Sequence, residues 1–204
     1  MPSTALEILL IFLLLLLNGV FAMSEIAIVS SRKVRLQQKA EDGDDAARAA
    51  LDLSNSPNRF LSTVQIGITL VGILAGALGG ATLAEKLAVW LGRINGLEQY
   101  SSGLALAIVV LLTTYFSLVI GELIPKRLGL LDPEKIAIAA AKPMRFLSRL
   151  AAPLVKILSL STDLGLRLLG ASPSKEPPVT EEEIKVLMQQ GAQVGVFEAA
   201  EQDM

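Results

Sequence analysis

SSGLALAIVVLLTTYFSLVIGELIPK, residues 101–126, is the stretch that decides the fold class. No charged residue lies between Glu98, just before it, and Glu122, near its end. An α-helix rises about 1.5 Å per residue, so an uncharged segment of this length can cross the roughly 30 Å hydrocarbon core of a bilayer. The stretch therefore predicts a transmembrane helix over residues 101–124.

Two other segments of the chain are equally free of charge. One lies between Glu7 and Glu25, and the other lies between Arg59 and Glu85. Three such segments in 204 residues leave too little amphipathic surface to enclose them in a soluble core. The sequence therefore predicts an all-α membrane protein with three transmembrane helices. The predicted spans are 5–24, 58–83 and 101–124.

Basic residues are distributed unevenly outside the predicted spans. The N-terminal leader has none, whereas the segments that follow the first and third spans are rich in them. Cytoplasmic loops of membrane proteins carry an excess of lysine and arginine. The N-terminus is therefore predicted outside the cell and the C-terminal half in the cytoplasm, as in a multi-pass protein of the inner (plasma) membrane. The basic residues of the two segments are Arg32, Lys33, Arg35, Lys39, Lys126, Arg127 and Lys135.

The sequence divides into a transmembrane domain at 1–133, interfacial helices at 134–170 and a final segment at 171–204. Residues 32–56 of the first part predict a cytoplasmic helical hairpin. The interfacial part alternates basic and apolar residues and is interrupted by Pro143 and Pro153, which is typical of amphipathic helices at a membrane surface. A fourth, heavily polar span is the alternative. The final segment predicts a linker and the start of a cytosolic region that this chain does not contain.

The chain has no histidine and no cysteine. It therefore lacks the commonest general base, thiolate metal ligands and any disulfide framework. A metal ion would have to be held by oxygen atoms. The composition does not favour an enzyme, and no nucleic-acid partner is predicted.

Polar residues inside a span are costly, so each is a candidate functional residue. In the first span these candidates are Asn18 and Ser24. The alternative for Ser24 is a hydrogen bond back to a carbonyl of its own helix, with Glu25 only marking the membrane interface. In the second span a stripe of polar and small residues follows helical spacing, and it suits ligand binding, helix packing or a dimer seam. The stripe and one further candidate in the third span are Ser62, Gln65, Thr69, Gly72, Gly76 and Ser117.

The end of the third span offers the sharpest candidate. Pro125 has no N–H, so the carbonyl of Gly121 loses its partner in the helix, and the span is predicted to end there. The Glu122 carboxylate is the next residue along the chain. A free carbonyl beside a carboxylate is typical of a site for a hard cation such as Mg²⁺. The alternative is a plain helix end, with Glu122 paired to Lys126 four residues on.

Several of these residues lie in motifs that resemble one family. NGVFAMSE at 18–25, FLSTVQIGIT at 60–69 and GELIPK at 121–126 are similar to motifs of the CorC/CNNM family of magnesium and cobalt efflux proteins. Residues 179–204 resemble the acidic segment that leads into the paired CBS domains of that family. The resemblance covers nearly the whole chain.

The resemblance implies a homodimeric transmembrane domain with three spans and interfacial helices in the lipid bilayer. It implies export of Mg²⁺, with Co²⁺ as another cargo and Na⁺ as the coupling ion, and CBS domains as the chain's own missing partners. A membrane anchor or sensor scaffold for cytosolic regulatory domains, without transport, is the alternative. Carried over by motif, the metal ligands are Asn18, Ser24, Gly121 and Glu122, with Pro125 and Lys126 in structural roles.

Overall fold

The computed structural model describes residues 4–170, which form α-helices joined by short turns and contain no strand. The predicted all-α fold class is confirmed for this part of the chain. The segment predicted as a linker, 171–204, lies outside the described residues. The helices are α1 (Thr4–Ser30), α2 (Lys33–Glu41), α3 (Asp45–Asn55), α4 (Pro57–Leu78), α5 (Ala84–Leu91), α6 (Ser101–Leu118), α7 (Ile124–Leu131), α8 (Pro133–Leu150) and α9 (Ala152–Leu168).

The chain separates into two compact units, residues 1–159 and 160–204. The first unit holds α1 to α8 and the beginning of α9. In the second unit, the described residues 160–170 are the end of α9 and a closing turn, where Gly170 takes a positive φ of 70°.

Within residues 4–170, three helical segments are long and apolar enough to cross a membrane, which agrees with the three predicted spans. They are Thr4–Ser30, Pro57–Leu78 and Glu98–Leu131. The second differs from its predicted extent of 58–83, because α4 ends at Leu78 and a π-helical turn follows at Gly79–Leu83 before α5. A π turn is a local widening of a helix, and it often marks a place where another group approaches the backbone.

The sequence predicts that helices end or break at Pro125 and Pro143. In the structure, both prolines lie inside continuous helical segments. The third span continues through Pro125 to Leu131, because a π-helical turn at Val119–Leu123 widens the helix just before the proline ring. Pro143 lies inside α8 on its exposed side. The carbonyl of Ala139 that it leaves without an N–H partner is also exposed, so it is open to other donors.

The first helix organises the packing, since α1 contacts α4, α7 and α8. Glycines on its neighbours allow the close approach. A Cβ atom added to Gly67 of α4 would lie 2.9 Å from the ring of Phe21, and one added to Gly129 of α7 would lie 2.8 Å from the carbonyl oxygen of Met23. The buried core lies among α1, α2, α3, α4 and α8. Its largest fully buried apolar side chains are Phe60, Ile28, Leu36 and Val64.

The hairpin of α2 and α3 is closed by a tight turn. Gly43 adopts a φ of +95°, which an L side chain rarely takes, and Asp44 caps α3 by accepting hydrogen bonds from two backbone N–H groups. Helix α8 then packs across α1 and α3, where Glu134 accepts from the Arg32 N–H at 3.3 Å. We call this end of the spans the basic end, because Arg32 and Arg59 lie at the helix ends there.

The opposite end of the spans carries an ion pair between a buried glutamate and a more exposed lysine. Glu7 of α1 is buried, and its carboxylate lies 2.5 Å from the ammonium group of Lys86 on α5. The same ammonium donates to the Thr4 hydroxyl at 3.1 Å. This pair joins α1 to α5, which follows the π turn at Gly79–Leu83.

Replacing Glu7 with glutamine is expected to lower the free energy of unfolding by about 1–3 kcal/mol, because the negative charge that pairs with Lys86 is lost and the ammonium group is left beside a buried neutral amide. Thermal unfolding of the purified chain in detergent measures the change. Glu85→Gln is the matched control, since Glu85 is an exposed acid on α5 that forms no ion pair with any residue from 4 to 170. Equal midpoints for the two variants would contradict the structural role of the pair.

Candidate cation site

The site begins with the wide turn in the third span. The N–H of Ile124 donates to the carbonyl of Val119, five residues back, so the turn closes in the π pattern. Pro125 follows and has no N–H to donate. Neither the carbonyl four residues before it, at Gly121, nor the one five residues before it, at Ile120, can therefore bond to residue 125.

Asn18 of α1 lies against this gap in the backbone hydrogen bonds of the third span, which we call the Pro125 break. Its side-chain Nδ2 donates to the carbonyl oxygen of Gly121 at 3.1 Å in a buried hydrogen bond. Because a carbonyl can only accept, this bond fixes which side of the amide faces Gly121. The other side, Oδ1, is buried without a partner among the described residues, and Asn18 as a whole is 6% exposed. A buried acceptor without a donor is costly, so the position suits a cation or a donor group of a ligand.

A second backbone oxygen faces the same part of α1. The carbonyl oxygen of Ile120 lies 3.1 Å from the position that a Cβ atom of Gly19 would occupy, and the Pro125 ring lies 2.8 Å from it. Only glycine fits there without displacing the third span. Sequence reasoning missed Ile120, because Pro125 alone identifies the carbonyl four residues before it, and the π turn that involves Ile120 is seen only in the structure. The break therefore turns two carbonyl oxygens toward α1, one bonded to Asn18 and one facing Gly19.

The predicted residue Glu122 lies at the edge of this break and is paired. Its Oε1 accepts from the ammonium group of Lys126 at 2.8 Å, which is the pairing that the sequence offers as an alternative. Glu25 of α1 also lies 3.9 Å from that ammonium group. Two carboxylates thus share one lysine, leaving a net charge of −1. The side chains of Glu122 and Glu25 are 42% and 22% exposed, so this group forms an accessible acidic edge to the site.

Ser24 is buried, but its hydroxyl bonds to its own helix. Ser24 Oγ donates to the carbonyl of Val20 at 2.7 Å, as in the alternative that the sequence leaves open. It follows Asn18 by six residues, or about 9 Å along the helix axis. The structure therefore brings Asn18 and Gly121 together, while Ser24 keeps only acceptor capacity and lies toward the acidic edge.

The other predicted residues make no hydrogen bond with Asn18 within residues 4–170. Ser62 of α4 is half-buried and lines a separate cleft at the basic end. Gln65 and Thr69 lie on the exposed face of α4, and Ser117 of α6 is half-buried. Their part in a cation site stays a prediction.

The donor set has a clear chemical character. Around the break it consists of the Asn18 amide oxygen, backbone carbonyls and the carboxylates of Glu122 and Glu25. Among residues 4–170, no group of three or more acidic residues is placed to hold a metal ion. The arrangement suits a cation that is bound largely by neutral oxygens in a buried position and attracted there by a small negative charge.

Comparison with known proteins agrees with the sequence resemblance. A 52% identical UPF0053 protein of Synechocystis matches 99% of this chain over 45% of its own length. The polyamine export protein of Haemophilus influenzae is 32% identical, with 95% of this chain and 45% of that protein covered. The polyamine export protein of Escherichia coli is 29% identical, over 97% and 44% of the two chains. The chain thus spans about half the length of the curated relatives it matches. The sequence profile described as the cyclin M transmembrane N-terminal domain, CNNM, matches residues 9–201, and the chain therefore belongs to the CNNM family.

Proposed function

We propose that this chain is the transmembrane domain of a cation exporter, with Mg²⁺ as its cargo and the Asn18–Gly121 break as its binding site. The observation that carries the proposal is the buried Asn18 Oδ1, which has no partner among residues 4–170 and belongs to the amide that bonds the Gly121 carbonyl at the π turn before Pro125. Mg²⁺ takes about six oxygen ligands and keeps several waters when a protein offers few carboxylates. In this site Asn18, Ile120 and Gly121 offer the neutral oxygens, and water completes the shell.

The acidic edge has a separate part in the proposal. Glu122 and Glu25 exceed Lys126 by one negative charge, so they raise the local concentration of cations near the break. Lys126 also holds the Glu122 carboxylate in place. An arriving cation competes with the ammonium group for that carboxylate, which offers a route from the edge into the buried site.

The orientation and coupling follow from the charge pattern and the family resemblance. With the basic end in the cytoplasm, the acidic edge opens toward the cell interior, as export requires. Na⁺ is the proposed coupling ion, and Co²⁺ is a further proposed cargo. CBS domains of the longer protein are the proposed regulatory partners.

A homodimer is part of the same proposal. Gln65 and Thr69 lie on an exposed face of α4, although polar side chains are costly against lipid. Gly72 and Gly76 share that face, and no atom of the described chain lies within 4 Å of a Cβ atom added to either. These glycines are not needed for packing within one chain. Small residues next to polar ones favour close contact with another helix, and a second copy of α4 is the proposed partner.

A polyamine is the second candidate cargo, favoured by the relatives named polyamine export proteins. Ammonium groups of a polyamine are hydrogen-bond donors, and neutral amide and carbonyl oxygens accept them well. Liposomes that contain the chain and are loaded with either Mg²⁺ or spermidine distinguish the two. Release of spermidine without release of Mg²⁺ would identify a polyamine, and not Mg²⁺, as the cargo. Release of neither would favour a membrane anchor without transport.

Glu122→Ala is expected to lower the rate of Mg²⁺ release from such liposomes at least about tenfold, because a charged ligand of the entry path is lost. Glu41→Ala removes an exposed acid from α2 and is expected to leave the rate unchanged. The double variant Glu122→Ala/Lys126→Ala separates two roles of Glu122. A double variant that stays slow indicates that Glu122 meets the cation, whereas full recovery would show that Glu122 only neutralises Lys126. Unchanged release by Glu122→Ala would contradict the proposed site.

A further inference from the structure

A second polar cleft lies at the basic end, away from the cation site. It has a volume of about 180 Å³ and opens where α3, α4 and α8 meet. Three arginines line it, one from α4 and two from α8, against a single carboxylate from α3. The polar residues of the cleft are Asp52, Ser56, Arg59, Arg145, Ser148 and Arg149.

The arginines are positioned by the fold but keep most of their donors free. Arg59 Nη2 donates to the carbonyl of Ser148 at 3.5 Å, and Arg145 Nη1 lies 3.6 Å from the carboxylate of Asp52. Both contacts are long, and a guanidinium group carries about five N–H donors. The side chain of Arg149 is exposed and makes no hydrogen bond or ion pair within residues 4–170. The cleft therefore holds a surplus of two positive charges.

The spacing between α4 and α8 is set by buried hydroxyl groups. Thr63 Oγ1 donates to the carbonyl of Arg59 at 2.8 Å and lies 3.5 Å from the hydroxyl of Ser148. Thr63 and Ser148 are both buried. The backbone of Arg59 is thereby anchored beside α8, so the guanidinium groups converge because of the packing.

A neighbouring cleft extends the basic surface. It shares Arg59 and has a volume of about 460 Å³, with Asn58 and Ser62 of α4 on one side and Lys156 of α9 on the other. The two clefts together present four cationic side chains and one carboxylate. A flexible, elongated anion is a better match for this shape than a compact one.

The adjacent face of α8 is apolar and open. Phe146 and Leu150 are 67% and 68% exposed, and they follow Arg145 and Arg149 directly in the sequence, so they lie on the next face of the same helix. Leu154 continues this exposed apolar surface in α9. A helix with basic and apolar faces side by side is typical of the zone between headgroups and acyl chains. The ligand that satisfies both faces has a phosphate group and a hydrocarbon chain.

We propose that this cleft is a binding site for the phosphate of an anionic membrane phospholipid, held by Arg59, Arg145 and Arg149. Planar guanidinium groups bind phosphate oxygens through paired N–H donors. The acyl chains lie along Phe146 and Leu150. The site is separate from the cation site, and it links the position of α8 to the lipid that surrounds the protein.

Native mass spectrometry of the purified chain titrated with phosphatidylglycerol or phosphatidylcholine tests this proposal. Tighter retention of phosphatidylglycerol is expected. Arg149→Gln is expected to weaken its binding about tenfold, because one charge-assisted contact is lost, and Arg145→Gln/Arg149→Gln is expected to weaken it further. The Arg149 side chain makes no polar bond to another described residue, so its replacement is expected to leave folding intact. A loss of lipid binding in this variant can therefore be assigned to the missing guanidinium group.

The matched control is Lys33→Gln/Lys39→Gln, which removes two exposed charges from α2. It is expected to leave phosphatidylglycerol binding unchanged. If the control lost phosphatidylglycerol binding to the same extent, the arginine effect would be explained by overall charge alone, and the proposal would be overturned. Equal retention of phosphatidylcholine would also overturn it. Displacement of the lipid by inorganic phosphate at millimolar concentration would identify a free phosphate compound as the ligand instead of a lipid.

Discussion

Gly129→Ala is expected to destabilise the chain by about 1–3 kcal/mol, which is the usual cost of adding a group to a well-packed contact between elements. A Cβ atom at this position of α7 would lie 2.4 Å from the Cγ2 atom of Ile26 and 2.8 Å from the carbonyl oxygen of Met23. The isoleucine side chain can rotate, but the backbone carbonyl cannot. Helix α7 would therefore have to move away from α1.

The displacement caused by Gly129→Ala reaches the candidate site. Gly129 follows Pro125 by four residues, and both face α1. Pushing α7 outward also pulls the Gly121 carbonyl away from Asn18, so cation release is expected to fall together with stability. Thermal unfolding in detergent and release from liposomes measure the two effects.

Gly103→Ala is the control for this experiment. Gly103 lies in α6, and no atom lies within 4 Å of a Cβ atom added to it. Alanine is favoured over glycine in a helix by up to about 1 kcal/mol, so this variant is expected to be neutral or more stable. If Gly129→Ala unfolds at the same temperature as Gly103→Ala, α1 and α7 do not approach each other closely at Gly129.

The spans were the part of the fold that could be predicted from the sequence. A charged side chain inside the hydrocarbon core is costly regardless of how the neighbouring helices pack. A long uncharged segment therefore indicates a membrane span without any knowledge of tertiary contacts. The gap between Glu98 and Glu122 is an example, and the structure has a continuous helical segment there. The fold class was confirmed for the same reason.

The two π turns could not be predicted in the same way. An α turn and a π turn differ by one residue, and the choice depends on what packs against the helix. At Val119–Leu123 the deciding contacts are those of Gly19 with the Pro125 ring and the Ile120 carbonyl. The continuation of α8 through Pro143 also depends on tertiary structure. Pro143 lies on the exposed face of the helix, where the loss of a backbone hydrogen bond is tolerated better than on a buried face.

The candidate site was predictable in its parts but not in its assembly. Pro125 identifies the free carbonyl of Gly121, and the position of Asn18 inside a span identifies it as a functional candidate. Their hydrogen bond joins residues 103 positions apart, and the register between α1 and the third span is set by glycine contacts in three dimensions. For Ser24, the local bond to Val20 was one of two open possibilities, and only the structure distinguishes them.

Asn18→Ala is expected to reduce cation release at least about tenfold, since the change removes the buried amide oxygen that carries the proposed function. The same change removes the donor to Gly121 and leaves that carbonyl buried without its partner. The cost of an unsatisfied buried group is about 1–3 kcal/mol, so stability is expected to fall as well. A loss of release caused by unfolding must therefore be separated from a loss caused by the missing ligand.

Asn18→Asp makes that separation. An aspartate keeps an oxygen in the position of Oδ1 but cannot donate to the Gly121 carbonyl when it is ionised, and its charge favours divalent cations. It is expected to bind Mg²⁺ more tightly than the alanine variant while sharing its loss of stability. Isothermal titration with Mg²⁺ and with spermidine, at a temperature where both variants are folded, measures the difference.

Ser54→Ala is the matched control for both variants. The Ser54 hydroxyl is the other buried polar side-chain group without a partner among the described residues, and it lies in α3, outside the three candidate spans. Its removal is expected to leave cation release unchanged and stability equal or slightly higher, because replacing an unpaired buried polar group removes a desolvation cost. If Asn18→Ala also leaves release unchanged, then the unpartnered Asn18 oxygen is a structural feature only, and the cation passes elsewhere. If release falls for Asn18→Ala but not for Ser54→Ala, the effect belongs to the position of Asn18 against the Pro125 break.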